Sequence, residues 1–100
     1  MAMAILVKLH GRFRAAAGIS QLEVPATIGS IRDLLDLLST RFGPEIRRYM
    51  FALGGDLSPN LMVLVNEHSV KMLKGLGTPL SESDTVMIDS VDITELVGGG

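Results

Sequence analysis

The residues best suited to chemistry stand at the end of the chain, Leu96-Val97-Gly98-Gly99-Gly100. Three glycines offer no side-chain acid, base, ligand or nucleophile. What Gly100 does offer is its α-carboxylate, ionised at neutral pH and a poor acyl donor until another enzyme activates it. A flexible glycine tail is also thin and conformationally permissive. It can enter a narrow channel as nearly bare backbone, where a β-carbon would strike the walls. Loose chain ends can look the same, so the body of the chain has to distinguish a working tail from an incidental one.

The body supplies no competing centre. His10 and His68 are the only histidines and there is no cysteine. A zinc-type site needs three or four ligands, so no metal is expected and both histidines read as exposed strand-end and turn residues. Asp84, Asp89, Asp92 and Glu95 could imitate a catalytic carboxylate pair, but a solvated acidic edge is the simpler reading. Such an edge would steer the tail toward a basic partner. Gly75-Leu76-Gly77 lacks the third glycine and the following helix of a dinucleotide fingerprint, and Gly54-Gly55 lacks the Lys-Ser/Thr of a phosphate loop. Arg12, Arg14, Arg41, Arg47 and Arg48 are too dispersed for a nucleic-acid face. A domain with no active site of its own, ending in an exposed carboxylate, fits a carrier better than an enzyme.

Composition agrees. One hundred residues form one domain, and 47% hydrophobic against 20% charged residues is enough apolar content to exclude disorder. A net charge of −2 argues against nucleic acid as a partner. No apolar run approaches the roughly 20 residues of a membrane span, and the N-terminus lacks the pattern of a secretory signal. The absence of cysteine fits a reducing compartment. The expectation is a soluble, cytoplasmic protein without membrane attachment.

The elements that must hold the tail follow from hydrophobic period. Ala4 to His10 alternates as a half-buried strand, with Ile5, Val7 and Leu9 on one face. Arg12 to Gly18 reads as a loop or short turn, and Ser20 to Val24 as a second strand closed by Pro25. Ser30 caps a helix, with Asp33 in a capping-box-like position. Ile31, Leu34, Leu35, Leu38 and Phe42 form its apolar stripe, and Gly43-Pro44 ends it. Glu45 to Phe51 adds a helical turn, with Ile46, Tyr49 and Met50 inward. Leu61 to Val65 is apolar on both faces, as an interior strand requires. Asn66-Glu67-His68 turns the chain into a short edge strand, Ser69-Val70-Lys71, and Thr85 to Asp89 is the last strand. The economical arrangement is α+β: a mixed sheet of four to five strands, one main helix packed across it, and first and last strands side by side in its centre. The domain is expected to span 1–97, with 98–100 as an exposed tail.

Val63-Leu64-Val65-Asn66, Gly75-Leu76-Gly77-Thr78-Pro79-Leu80, Asp84-Thr85-Val86-Met87-Ile88 and the terminal glycines together resemble the MoaD/ThiS-type sulfur carriers. In that family the pattern runs V-N-G, T-P-L, G-D-x-V and a final G-G. The resemblance covers essentially the whole chain and implies a β-grasp, ubiquitin-like fold. It implies that an E1-like enzyme adenylates Gly100 with ATP, that sulfur transfer then gives a thiocarboxylate, and that Gly98 and Gly99 are inserted into the partner. It implies no bound cofactor, and the large subunit of molybdopterin synthase as a further partner in molybdopterin or tungstopterin synthesis. A thiamine-type carrier and a ubiquitin-like modifier joined to lysine share the same terminus. Three departures stand out: Ser83 replaces the glycine before Asp84, Ile88-Asp89-Ser90-Val91 replaces an aromatic and proline-rich stretch, and the tail is longer, with a third glycine. From Ser83 we expect a turn made without a positive φ. From Asp89 we expect a less apolar docking surface.

Overall fold

A computed structural model describes residues 4–90, so Gly98, Gly99 and Gly100 lie outside the described residues. The strands are β1 (Ala4–Leu9), β2 (Gln21–Pro25), β3 (Leu61–Val65), β4 (His68–Ser69) and β5 (Thr85–Ser90). The helices are α1 (Gly11–Ala17), α2 (Ile31–Phe42) and α3 (Pro44–Met50). The five strands form one mixed sheet in the order β2-β1-β5-β3-β4. The first and last strands pair in parallel at its centre, Val7 beside Val86 and Leu9 beside Ile88. The other pairings are antiparallel.

Side-chain alternation decides which face is covered. Ile5, Val7, Leu9, Leu22, Val24, Leu61, Val63, Val65, Val86 and Ile88 are buried together with Ile31, Leu34, Leu35 and Leu38 of α2. Each such side chain contributes about 1.5–3 kcal/mol relative to exposure, so the sheet and α2 specify each other. The Ser30 hydroxyl accepts the Asp33 N–H at 3.3 Å, forming the expected cap. Gly43, at φ 102°, ends α2 and begins α3, with Pro44 at the first helical position. That backbone corner turns α3 so that Ile46 and Met50 reach the same core. The Thr78-Pro79-Leu80 segment is tied to the start of α2: Ile31 N–H donates to the Thr78 carbonyl, and Leu80 N–H to that of Gly29.

Three sequence expectations change. The stretch expected as loop or short turn, 12–18, is mostly helix, since α1 runs through Ala17. The Ala15-Ala16-Ala17 run favours helix, Phe13 anchors it in the core, and Gly18 caps it at φ 77°. Seven residues with one inward side chain show no readable period. The edge strand is also shorter than expected and shifted, because Val70 turns inward and is buried. The chain therefore leaves β4 after Ser69 and enters a 3-10 turn, Val70–Met72. Finally, the turn before β5 does use a positive φ, since Ser83 itself sits at 71°.

The hairpin joining β3 to β4 has two positive-φ residues, Asn66 at 49° and Glu67 at 72°, the backbone of a type I′ turn. Neither Glu67 nor Ser83 gains from its β-carbon there. Replacing either by glycine is expected to stabilise the fold by about 0.5–1 kcal/mol, relief of left-handed strain outweighing the added unfolded-state entropy. A rise in the urea midpoint at unchanged slope would show it.

Candidate functional site

The tail-bearing element is β5, and the fold fixes it from both sides and both ends. Backbone pairing to β1 and β3 flanks it. At its start, the Asn66 side chain acts as a clamp. Its Nδ2 donates to Asp84 Oδ1 at 2.9 Å, and its Oδ1 accepts the Thr85 N–H at 3.0 Å. Asp84 Oδ2 in turn accepts the Ser81 N–H at 2.8 Å. The hairpin tip and the entry to β5 are thus one hydrogen-bonded unit, which gives a physical use to the asparagine in the Val63-Leu64-Val65-Asn66 stretch. Asp84 is consequently a turn anchor. It lies five residues from Asp89, roughly 16 Å along an extended strand, so the two do not form the acidic edge expected from sequence. Asp92 and Glu95 lie outside the described residues.

At the other end, β5 delivers Ser90 beside the start of β3, with Leu61 opposite, and beside α1. The His10 N–H donates to the Ile88 carbonyl at 3.0 Å. Asp89 Oδ1 accepts the Ser90 N–H at 2.7 Å, so this carboxylate is partly occupied by its own strand. Gly11 fits tightly against it: its φ is +55°, and a β-carbon there would lie 3.0 Å from Asp89 Oδ1. Gly11→Ala is therefore expected to cost about 1–2 kcal/mol from the left-handed backbone, with some addition from the contact. Thermal unfolding of the variant measures this, and an unchanged melting temperature would refute it.

Beyond Ser90 run ten residues, Val91 to Gly100, with a full extension of roughly 33–36 Å. The sheet face away from α2 offers the adjacent surface. Leu6, Met62, Leu64, Thr85 and Met87 are half-buried there, with Lys8 and His10 exposed. Lys8, His10, Leu64, Asn66, Glu67, Thr85 and Met87 line a hollow of about 300 Å³. Lys8 neighbours Met87, which neighbours Leu64 across the central strands, giving an apolar centre with a polar border. This surface is invisible to a motif search, because its residues come from three separated strands.

His10 and His68 are both exposed and lie at opposite ends of the sheet, near Ile88 and opposite Val65 respectively. The arginines are held separately: Arg12 stacks 4.8 Å over the Tyr49 ring, Arg47 4.8 Å over Phe51, and Arg41 5.5 Å over Phe42. Arg47 also pairs with Asp36 at 3.3 Å. Among the described residues no helix is long and apolar enough to cross a membrane.

Known structures share this architecture. The small archaeal modifier protein 1 from Methanosarcina acetivorans has a TM-score of 0.76 and 25% identity, over 93% of this chain and 97% of that one. Urm1 from Trypanosoma brucei has a TM-score of 0.73 and 25% identity, over 91% and 94%. A putative molybdopterin converting factor, subunit 1, from Pyrococcus furiosus has a TM-score of 0.69 and 21% identity, over 91% and 100%. The fold is thus the β-grasp, ubiquitin-like one. No curated protein matches the sequence. The family model described as the ThiS family matches residues 7–100, from β1 through the last glycine. A ubiquitin-like sheet whose central strand leads into a glycine-terminated tail, matched along nearly its whole length by that model, makes this chain a member of the ThiS family.

Proposed function

We propose that the protein is a sulfur carrier whose working group is the Gly100 carboxylate. An E1-like partner would join this carboxylate to the AMP moiety of ATP, releasing pyrophosphate. Sulfur from a donor would then displace AMP, leaving the terminal thiocarboxylate. Activation is required because a carboxylate is a poor acyl donor, whereas an acyl adenylate carries a good leaving group. The chain acts as carrier and not as catalyst, holds no cofactor of its own, and leaves ATP to the activating enzyme. Gly98 and Gly99 give the tail the narrow cross-section that insertion needs. The observation that carries the reading is the family match extending through Gly100.

The delivery we favour is to a pterin, in molybdopterin or tungstopterin synthesis, with a large synthase subunit receiving the tail. The likeness to a putative molybdopterin converting factor subunit supports that choice. A second reading, a modifier joined through Gly100 to a lysine, is favoured by the likeness to a small archaeal modifier protein. A thiamine-type carrier shares the family match. Mass spectrometry after incubation with an E1-like enzyme, ATP and a sulfide source separates these chemistries. Replacement of one terminal oxygen by sulfur is expected. Lysine conjugates without that exchange would establish the modifier instead, and pterin product formation with a large subunit tests the acceptor.

A further inference from the structure

The end of β5 carries a backbone donor that the sheet does not satisfy. On the β3 side, the Asn66 N–H donates to the Thr85 carbonyl. Bonded and non-bonded positions alternate along an antiparallel pair, so Thr85, Met87 and Asp89 bond toward β3 and Ser90 does not. The Ser90 N–H therefore points to the β1 side. There the Leu6 N–H donates to the Asp84 carbonyl and the His10 N–H to that of Ile88. The next rung of such a parallel ladder runs from the Ser90 N–H to the His10 carbonyl. That rung is missing, because the chain turns into α1 at His10, whose carbonyl accepts the Phe13 and Arg14 N–H groups at 3.1 and 3.4 Å.

Asp89 supplies the replacement, its Oδ1 accepting the Ser90 N–H at 2.7 Å. The α1 side leaves room for it: a β-carbon at Gly11 would stand 3.0 Å from Asp89 Oδ1 and 3.7 Å from Ser90 Oγ. Among the described residues no cation lies within ion-pair distance of Asp89, so its carboxylate is held by its own strand and not by a salt bridge. Resting on the carrier reading above, we propose that Asp89 is a positioning residue for sulfur loading. Its carboxylate fixes Ser90 as the last ordered rung, so that residues 91–100 set out toward the activating enzyme from one defined point. Ordering Ser90 in the free protein removes part of the entropy loss that tail insertion entails.

Asp89→Ala and Asp89→Asn in the full chain test this, since asparagine keeps an acceptor oxygen without the charge and alanine keeps neither. After correction for the intrinsic effect of the neighbouring side chain, the Ser90 amide is expected to exchange hydrogen about tenfold faster in Asp89→Ala, the loss of one charge-assisted bond. In Asp89→Asn it should stay within about threefold of wild type. With an E1-like enzyme, ATP and a sulfide source, Asp89→Ala should raise the KM for the carrier about fivefold at unchanged kcat, as ordering one more backbone residue on binding requires. Asp89→Asn should recover most of that loss, and both melting temperatures should stay within about 4 °C of wild type. Equal losses in the two variants would make the charge itself the partner's contact and overturn the proposal. So would an unchanged KM in Asp89→Ala, or a KM change that follows a lowered melting temperature. A wild-type chain that takes up no sulfur would defeat the carrier reading and this use of Asp89 with it, whereas normal loading with unaltered Ser90 exchange in Asp89→Ala would defeat the proposal alone.

Discussion

Deletion of Gly99 and Gly100 is expected to abolish thiocarboxylate formation while leaving the melting temperature unchanged. The shortened chain still ends in a carboxylate, on Gly98, so the loss reports position and not chemistry. Two residues of extended backbone are roughly 7 Å, and misplacing a reacting atom by even about 1 Å costs on the order of 10²-fold in rate. The fold should not respond, because all the sheet pairings among the described residues lie at or before Ser90. A companion form carrying the full tail but blocked as the terminal amide tests the chemistry alone. It should be equally inactive, since an amide oxygen is not adenylated. Retained sulfur loading in either form would end the carrier reading, and a lowered melting temperature would show that the tail has a structural role.

The largest effect on stability is expected at Ile88. This residue is fully buried in the central strand and lies opposite both Leu9 and Val63. Ile88→Ala removes side-chain carbons where three adjacent strands meet in the buried core, so little relaxation can fill the space. The expected cost is about 2–5 kcal/mol, against a total near 5–15 kcal/mol for a domain of this kind. At this size that lowers the melting temperature by about 8 °C or more. Met87→Ala, one residue earlier on the half-buried outer face, should cost no more than about 1 kcal/mol. The functional contrast runs the other way. Ile88→Ala should load sulfur normally at low temperature and fail on warming, whereas Met87→Ala should impair partner docking at every temperature. Binding and loading measured across temperature check both.

What could be read in the one-dimensional chain was whatever repeats at short range or stands at a fixed place. The Ile31–Phe42 helix announced itself through a 3.6-residue stripe and a Ser30 cap. The strands showed through alternation, and the glycine end showed through its lack of side chains. The placing of the first and last strands side by side in the sheet centre followed from economy of layers and is found; that they run parallel came from the fold. The Gly11–Ala17 helix escaped because a single buried residue, Phe13, carries its packing. The edge strand was misplaced because the burial of Val70 is decided by what lies beneath it and not by its neighbours in the chain.

Tertiary structure alone decided the rest. Ser83 takes a left-handed backbone because the turn is closed on both sides: its N–H donates to the Ala4 carbonyl, and the Asp84 carboxylate binds the Ser81 N–H. Asp84 became a clamp partner and not an acidic edge because a hairpin 18 residues away brings Asn66 against it. Likewise the sheet face of Leu64, Met87 and Lys8 is assembled from residues far apart in order. Local periodicity reports which side of an element is apolar, since that depends on the element's own geometry. Which elements meet is set by burial and hydrogen bonding summed over the whole chain, and only the folded molecule carries that sum.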